Sequence, residues 1–316
     1  MKRRGSVGSI VVAFAATILA APAITTTTAQ RRAQNRLAWA TRLSEARGPI
    51  RTADVTTPLG KNVSSEILGG PANGSDAGYL IYTRMPAGAH GPSLFTLPAD
   101  HLYLVLSGKM TIQIGTDKFV AGPDTGVMIP AGVPHEAWNA ETVPEAHVEV
   151  IAPAPSRDLM SMLNPAEPRA VENAGQYVRP APPLPAELRR GLNPQRLFAR
   201  NTGSANQMRI DSSPAGTGNA NPHIHAFEQV YFIKEGTMTL LYGLSPDGQI
   251  GRYQVPANSF VVIPPGVVHG NFNDGSTIER HIVWLLPEPE PGVGPLDVAV
   301  ELKPPPPARG GGRGQQ

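Results

Sequence analysis

Pro222-His223-Ile224-His225-Ala226-Phe227-Glu228-Gln229 is answered further along the chain by Pro264-Pro265-Gly266-Val267-Val268-His269. The first stretch reads as a strand, on which side chains alternate between two faces. Period two puts His223, His225, Phe227, Gln229 and Tyr231 on one face and Glu228 on the other. Two imidazoles and an amide oxygen thus converge, and the turn ending at His269 can bring a third imidazole to them. Three imidazoles suit Fe(II), Mn(II), Ni(II), Cu(II) or Zn(II), so the expected cofactor is one divalent transition metal held by His223, His225, Gln229 and His269.

Spacing around this stretch recurs earlier in the chain. Gln229 precedes Gly236 by seven residues, as His101 precedes Gly108. Pro264-Pro265-Gly266-Val267-Val268-His269 matches Pro130-Ala131-Gly132-Val133-Pro134-His135. Asn273 and Asn139 follow four residues later, then His281 and His147. The copies differ by six residues between these motifs, because Gly243 to Gly248 lengthens a hairpin in the second.

The rest of the composition agrees with a duplicated all-β protein. At 316 residues the chain is long enough for two domains, each able to bury a core. Its 34 prolines and 33 glycines favour turns over long helices. Short apolar runs such as Tyr79 to Tyr82, Leu102 to Leu106, Met110 to Ile114 and Gly126 to Ile129, cut by Gly, Pro, Asn and Asp, mark an antiparallel sandwich or barrel. Only Arg31 to Ala46 and the neighbourhood of Arg157 to Leu163 suggest short helices. Cysteine is absent, which excludes disulfides, thiolate ligands and thiol nucleophiles. There is no Gly-x-Ser-x-Gly elbow and no phosphate-cradling glycine loop after a strand.

The N-terminus reads as an export signal. Lys2-Arg3-Arg4 precedes an apolar run from Ile10 to Ala20, and small residues follow, with Ala29 the favoured cleavage point. The run is short for a membrane span. The expected location is therefore periplasmic or secreted, with no stable membrane span after processing. Residues 1–29 contain no acid, so their loss takes the 27 bases to 24 against 25 acids. That balance leaves no nucleic-acid footprint.

These residues resemble the cupin superfamily. Its first motif is a His-x-His pair followed by an acid and a glycine, here His223, His225, Gln229 and Gly236. Its second, Pro-x-Gly-x-x-His-x-x-x-Asn, falls on Pro264, Gly266, His269 and Asn273. The resemblance implies a bicupin: two jelly-roll-like β-barrels joined by a Pro-rich linker, each with a metal-sized pocket. The implied layout is a signal at 1–29, an N-terminal segment at 30–60, a first domain at 61–153, a linker at 154–200, a second domain at 201–290 and a disordered tail at 291–316. Pairing of barrels into a homodimer is implied by the resemblance alone.

Two departures shape the expectation. Gln229 stands where the family usually has glutamate, so the site keeps the full charge of its cation and favours a small organic anion. In the first domain Phe95 and Leu97 stand in the His-x-His positions and His101 in the acid position. Two imidazoles, His101 and His135, make a poor site alone, and His90 or His147 are the candidates to complete it. Otherwise the first domain is a structural copy with an apolar pocket. His281 and Glu228 are the candidate proton-moving groups. Phe227, Tyr231, Trp138 and Trp284 read as core, and Asn273 and Gly266 as turn-shaping.

Three functions follow. One is a metal-dependent dioxygenase resembling quercetinase-like proteins, acting on a small aromatic or enolic anion. Another is an oxygen-independent isomerase or lyase on a sugar acid or similar carboxylate. The third is a periplasmic protein that binds a ligand without turnover.

Overall fold

A computed structural model describes residues 63–71, 75, 77–154, 159–243 and 250–297, with strand fragments at 41–42, 56–57 and 60–61. The stretch read as a signal, 1–29, and residues 244–249 and 298–316 lie outside the described residues. Among the described residues no helix is long and apolar enough to cross a membrane.

Two barrels are each built from a six-stranded and a five-stranded antiparallel sheet. In the first barrel the larger sheet runs in the order Val178–Pro180, Thr125–Ile129, Asp100–Ser107, Glu145–Ala152, Tyr79–Met85, Ser64–Gly69. Facing it are Asn164–Pro165, Phe95–Thr96, His135–Trp138, Met110–Ile114 and Asp117–Ala121. The second barrel repeats this. Its larger sheet runs Thr41–Arg42, Ser259–Ile263, Glu228–Glu235, Glu279–Leu286, Gln207–Ser213, Asn193–Phe198, and its smaller one Ile250–Pro256, Thr237–Gly243, Val268–Asn273, Thr217–Ile224, Leu296–Asp297.

Four segments differ from the sequence-based expectation. Thr41–Arg42, inside the stretch read as a helix, is a strand beside Phe260 and Ser259, where it covers a sheet edge. The 154–200 stretch contributes Val178–Pro180 to the first sheet and Asn193–Phe198 to the second. Leu296–Asp297, at the start of the tail, pairs with Ile224 and His223. The short helix expected near 157–163 is a 3-10 turn over Leu159–Met162.

The repeated glycines have a steric cause. Gly108 and Gly236 close hairpins at φ +69 and +75, and a Cβ there would sit 2.4 Å from Pro144 O and 2.6 Å from Ile278 O. Both the dihedral and the approach demand glycine.

Alternation on the larger sheets sorts side chains into three cores. Tyr103, Val105, Val127 and Ile129 fill the first barrel, and Tyr231, Ile233, Val261 and Val283 fill the second. The intervening residues point outward and meet. Leu102, Leu104, Met128, Val148 and Val150 pack with Val230, Phe232, Phe260, Ile282 and Trp284 in one cluster between the barrels. Both faces of these strands are therefore buried. Trp284 is core, as read from sequence. Trp138 is not: it is only half-buried, stacked on His90 with Lys118 over its ring.

Candidate metal centre

The second barrel brings His223, His225 and His269 together. One ligating atom from each lies within 4.8 Å of the others. His223 and His269 are direct cross-strand partners. The Pro264-Pro265-Gly266 turn is tied down by Gly266 N donating to His225 O at 2.8 Å, which sets where His269 enters. Asn273 braces the far end of that strand, donating to Ser213 O and Thr277 O. Its role and that of Gly266 are structural, as expected.

Backbone carbonyls fix the imidazole tautomers. His223 Nδ1 donates to Asn221 O at 2.7 Å and His269 Nδ1 to Val267 O at 3.0 Å, which leaves each Nε2 with a bare lone pair. His269 Nε2 faces Gln229 Oε1 at 3.1 Å. His225 Nδ1 is buried with no hydrogen-bond partner, and its ring stacks on Phe227 with centroids 4.4 Å apart. Burial, with His223 and His225 nearby, holds the His269 pKa well below the usual imidazole value. Burial, His223 and the Arg209 charge push that of His225 down to about 4. These two imidazoles are therefore neutral at neutral pH, the form that binds a metal. Converging lone pairs, a facing amide oxygen and an orphaned buried nitrogen fit a metal site.

Arg209 was missed from sequence. It projects from Gln207–Ser213 on the inward face, where Met208-Arg209-Ile210-Asp211 alternates apolar and polar. Its Nε donates to Asp211 at 3.0 Å. The first barrel has Ile81 in the matching position. Tyr242 was missed too: its hydroxyl is buried inside the second barrel without a hydrogen-bond partner.

The candidate proton carriers fare differently. His281 is fully buried, its Nδ1 2.8 Å from Glu279 and its Nε2 3.8 Å from Asp211, with Tyr231 edge-on to its ring. Burial opposes its charge, but the Glu279 carboxylate, helped by Asp211, outweighs that and raises its pKa. Glu228 is the correction. Strand alternation turns it away from Gln229 and toward the first barrel, where Ser75 Oγ donates to its carboxylate. It does not line the metal centre.

In the first barrel Phe95 takes the place of His223 opposite His135, their rings 4.4 Å apart. His101 Nδ1 lies 3.0 Å from His135 Nε2, and its Nε2 donates to Glu149 at 2.8 Å. No third imidazole completes this pair among the described residues. His90 stacks on Trp138, and His147 is held between Glu145 and Glu149. Glu145, Glu149 and Thr83 were missed. The repeated Glu145-Ala146-His147 and Glu279-Arg280-His281 was the available signal.

The family model described as Cupin domain matches residues 81–151 and 211–285. No curated protein sequence matches the chain. Among solved structures, a Bacillus subtilis oxalate decarboxylase variant is similar at TM-score 0.57 and 11% identity, over 82% of this chain and 79% of that one. A B. subtilis oxalate decarboxylase with Mn(II) centres matches at TM-score 0.52 and 12% identity, over 76% and 75%. Protein Ylba from E. coli matches at TM-score 0.54 and 14% identity, over 75% and 88%. Identities this low speak to fold alone. The fold is a pair of cupin barrels in one chain.

Proposed function

We propose that the chain is a metal-dependent enzyme of the dioxygenase type, whose second barrel acts on a small aromatic or enolic anion. The carrying observation is the donor set. His223, His225 and His269 bring three imidazoles together, and Gln229 adds an amide oxygen where a carboxylate would have cancelled one charge. A divalent transition metal there supplies Lewis-acid polarisation of the bound anion and, in this reading, access to dioxygen.

The protein's own groups do the rest. The tautomers fixed by Asn221 O and Val267 O hold the lone pairs of His223 and His269 toward the site. Phe227 walls His225 on one side, and Arg209 adds a positive charge close enough to depress the His225 pKa. The carboxylates of Glu279 and Asp211 favour the charged form of His281, which meets Tyr231 edge-on.

Arg209 also supports a second reading, an oxygen-independent lyase or isomerase on a carboxylate, since a guanidinium recognises carboxylate oxygens well. Candidate enols and small carboxylic acids offered under air and under argon separate the two. Oxygen uptake that needs metal and vanishes in His223→Ala supports the dioxygenase. Turnover under argon supports the lyase, and tight metal without turnover on either panel leaves a binding protein. Export belongs to the same reading: N-terminal sequencing of the exported protein is expected to begin at Gln30.

A further inference from the structure

The first barrel lacks the His-x-His pair but has a cavity open at its mouth. Its walls are apolar: Ile81, Met85, Phe95, Leu159 and Leu163. Its floor is a connected set of buried polar groups.

The Glu149 carboxylate accepts from His101 Nε2 at 2.8 Å, from His147 Nε2 at 3.2 Å and from Thr83 Oγ1. His147 Nδ1 donates to Glu145 at 2.9 Å. With a carboxylate at each nitrogen, His147 is an imidazolium, and its pKa is pushed up to about 10 against the cost of burial. His135 Nδ1 donates to Val133 O, so its Nε2 faces His101 Nδ1 as a lone pair. The Tyr103 hydroxyl lies 2.9 Å from that His101 nitrogen. Two carboxylates, Glu145 and Glu149, flank the single His147 imidazolium, so the floor is rich in acceptors and its cation is already paired.

We infer that this cavity is a second, metal-free binding site for a neutral, ring-sized molecule that carries a hydroxyl group. The apolar walls take the ring. The hydroxyl donates to the acceptor-rich floor, at a Glu149 oxygen or Tyr103 Oη. A floor whose cation is already paired gives a carboxylate nothing to pair with, so this site selects against the anions that the second barrel favours.

The experiment is calorimetric titration of the full-length mature protein with phenol, and with benzoate as an anion of similar size. Phenol is expected to saturate with a Kd of about 1 mM or tighter, and benzoate to bind at least about tenfold more weakly at this site. Leu163→Trp and Ser65→Trp, two partly exposed positions on the lining, each fill the cavity and should weaken phenol by more than about tenfold. His223→Ala should leave phenol binding unchanged, which places it outside the second barrel. The inference is overturned by phenol that does not saturate, by benzoate binding equally well in the first barrel, by phenol affinity unchanged in both tryptophan variants, or by its loss in His223→Ala.

Discussion

At the residue scale, the difference between an amide and a carboxylate sets the charge of the candidate metal centre. Gln229 Oε1 faces His269 Nε2 at 3.1 Å in a site that is nearly closed to water, where an added charge is weakly screened. Gln229→Glu is expected to hold metal about tenfold more tightly and to weaken binding of an anionic ligand by a similar factor. Metal retained after chelator dialysis and a ligand titration check both halves. The first barrel offers a pH test. The His147 pKa rises from an ordinary 6.5 to about 10, because Glu145 and Glu149 favour its charged form by more than burial opposes it. The folded state binds that proton more tightly than the unfolded chain, so the contribution is complete below pH 6.5 and disappears as pH climbs toward 10. Glu149 is held below the ordinary carboxylate value despite burial, by hydrogen bonds from His101 and His147, so its contribution is present above pH 4.5 and lost in acid. A falling melting temperature from pH 6.5 to 10, flattened in His147→Gln, is the expected result. The cluster of His223, His225 and His269 was legible in sequence because alternation and motif spacing report it directly. Arg209 and Glu149 were not, since each gains its meaning from a neighbouring strand.

At the element scale, the two barrels differ most where their His-x-His strands differ. Phe95 opposes His135 in the same cross-strand register as His223 opposes His269. The turns delivering both histidines are pinned alike, by Gly132 N donating to Leu97 O and Gly266 N to His225 O, each at 2.8 Å. The backbone that presents three imidazoles in the second barrel thus has its counterpart in the first. Phe95→His with Leu97→His should create a second centre with His135, and metal analysis should rise from about one ion per chain to about two. A ratio that stays near one would show that the Glu149 hold on His101 and the apolar walls have closed the first barrel to metal. Strand pattern explains a second part of what sequence concealed. Glu228–Glu235 and Asp100–Ser107 each begin with six consecutive buried residues. Such a run reads as one apolar strand, and alternation alone does not say what covers the outer face. Glu228, offered as a proton carrier although alternation already put it on the face opposite Gln229, is an outward residue held by Ser75.

At the scale of the whole molecule, what covers that outer face is the other barrel. Leu102, Leu104, Val148 and Val150 on one side and Val230, Phe232, Ile282 and Trp284 on the other form a single cluster, larger in membership than the core inside either barrel. Near-equivalent acids border it from both sides. Asp100 accepts from Ser204 Oγ and Asn206 Nδ2, and Glu228 from Ser75 Oγ, each acid on one barrel and its donors on the other side of the chain repeat. Lys234 pairs with Asp124 across the same boundary. A buried acid whose donors belong to the partner barrel is costly to expose, so separating the barrels strands both the apolar faces and these carboxylates. The barrels should therefore unfold as one unit. Phe232→Ala removes a ring that is 1% exposed and lies 4.9 Å from that of Phe260, at an expected cost of about 3–5 kcal/mol. If the shared core couples the halves, this second-barrel change lowers amide-exchange protection in the first-barrel strand Met110–Ile114, which it does not touch, and denaturation keeps a single transition. Two transitions, with protection of that strand unchanged, would mean that each barrel stands on its internal core and the interface only positions them.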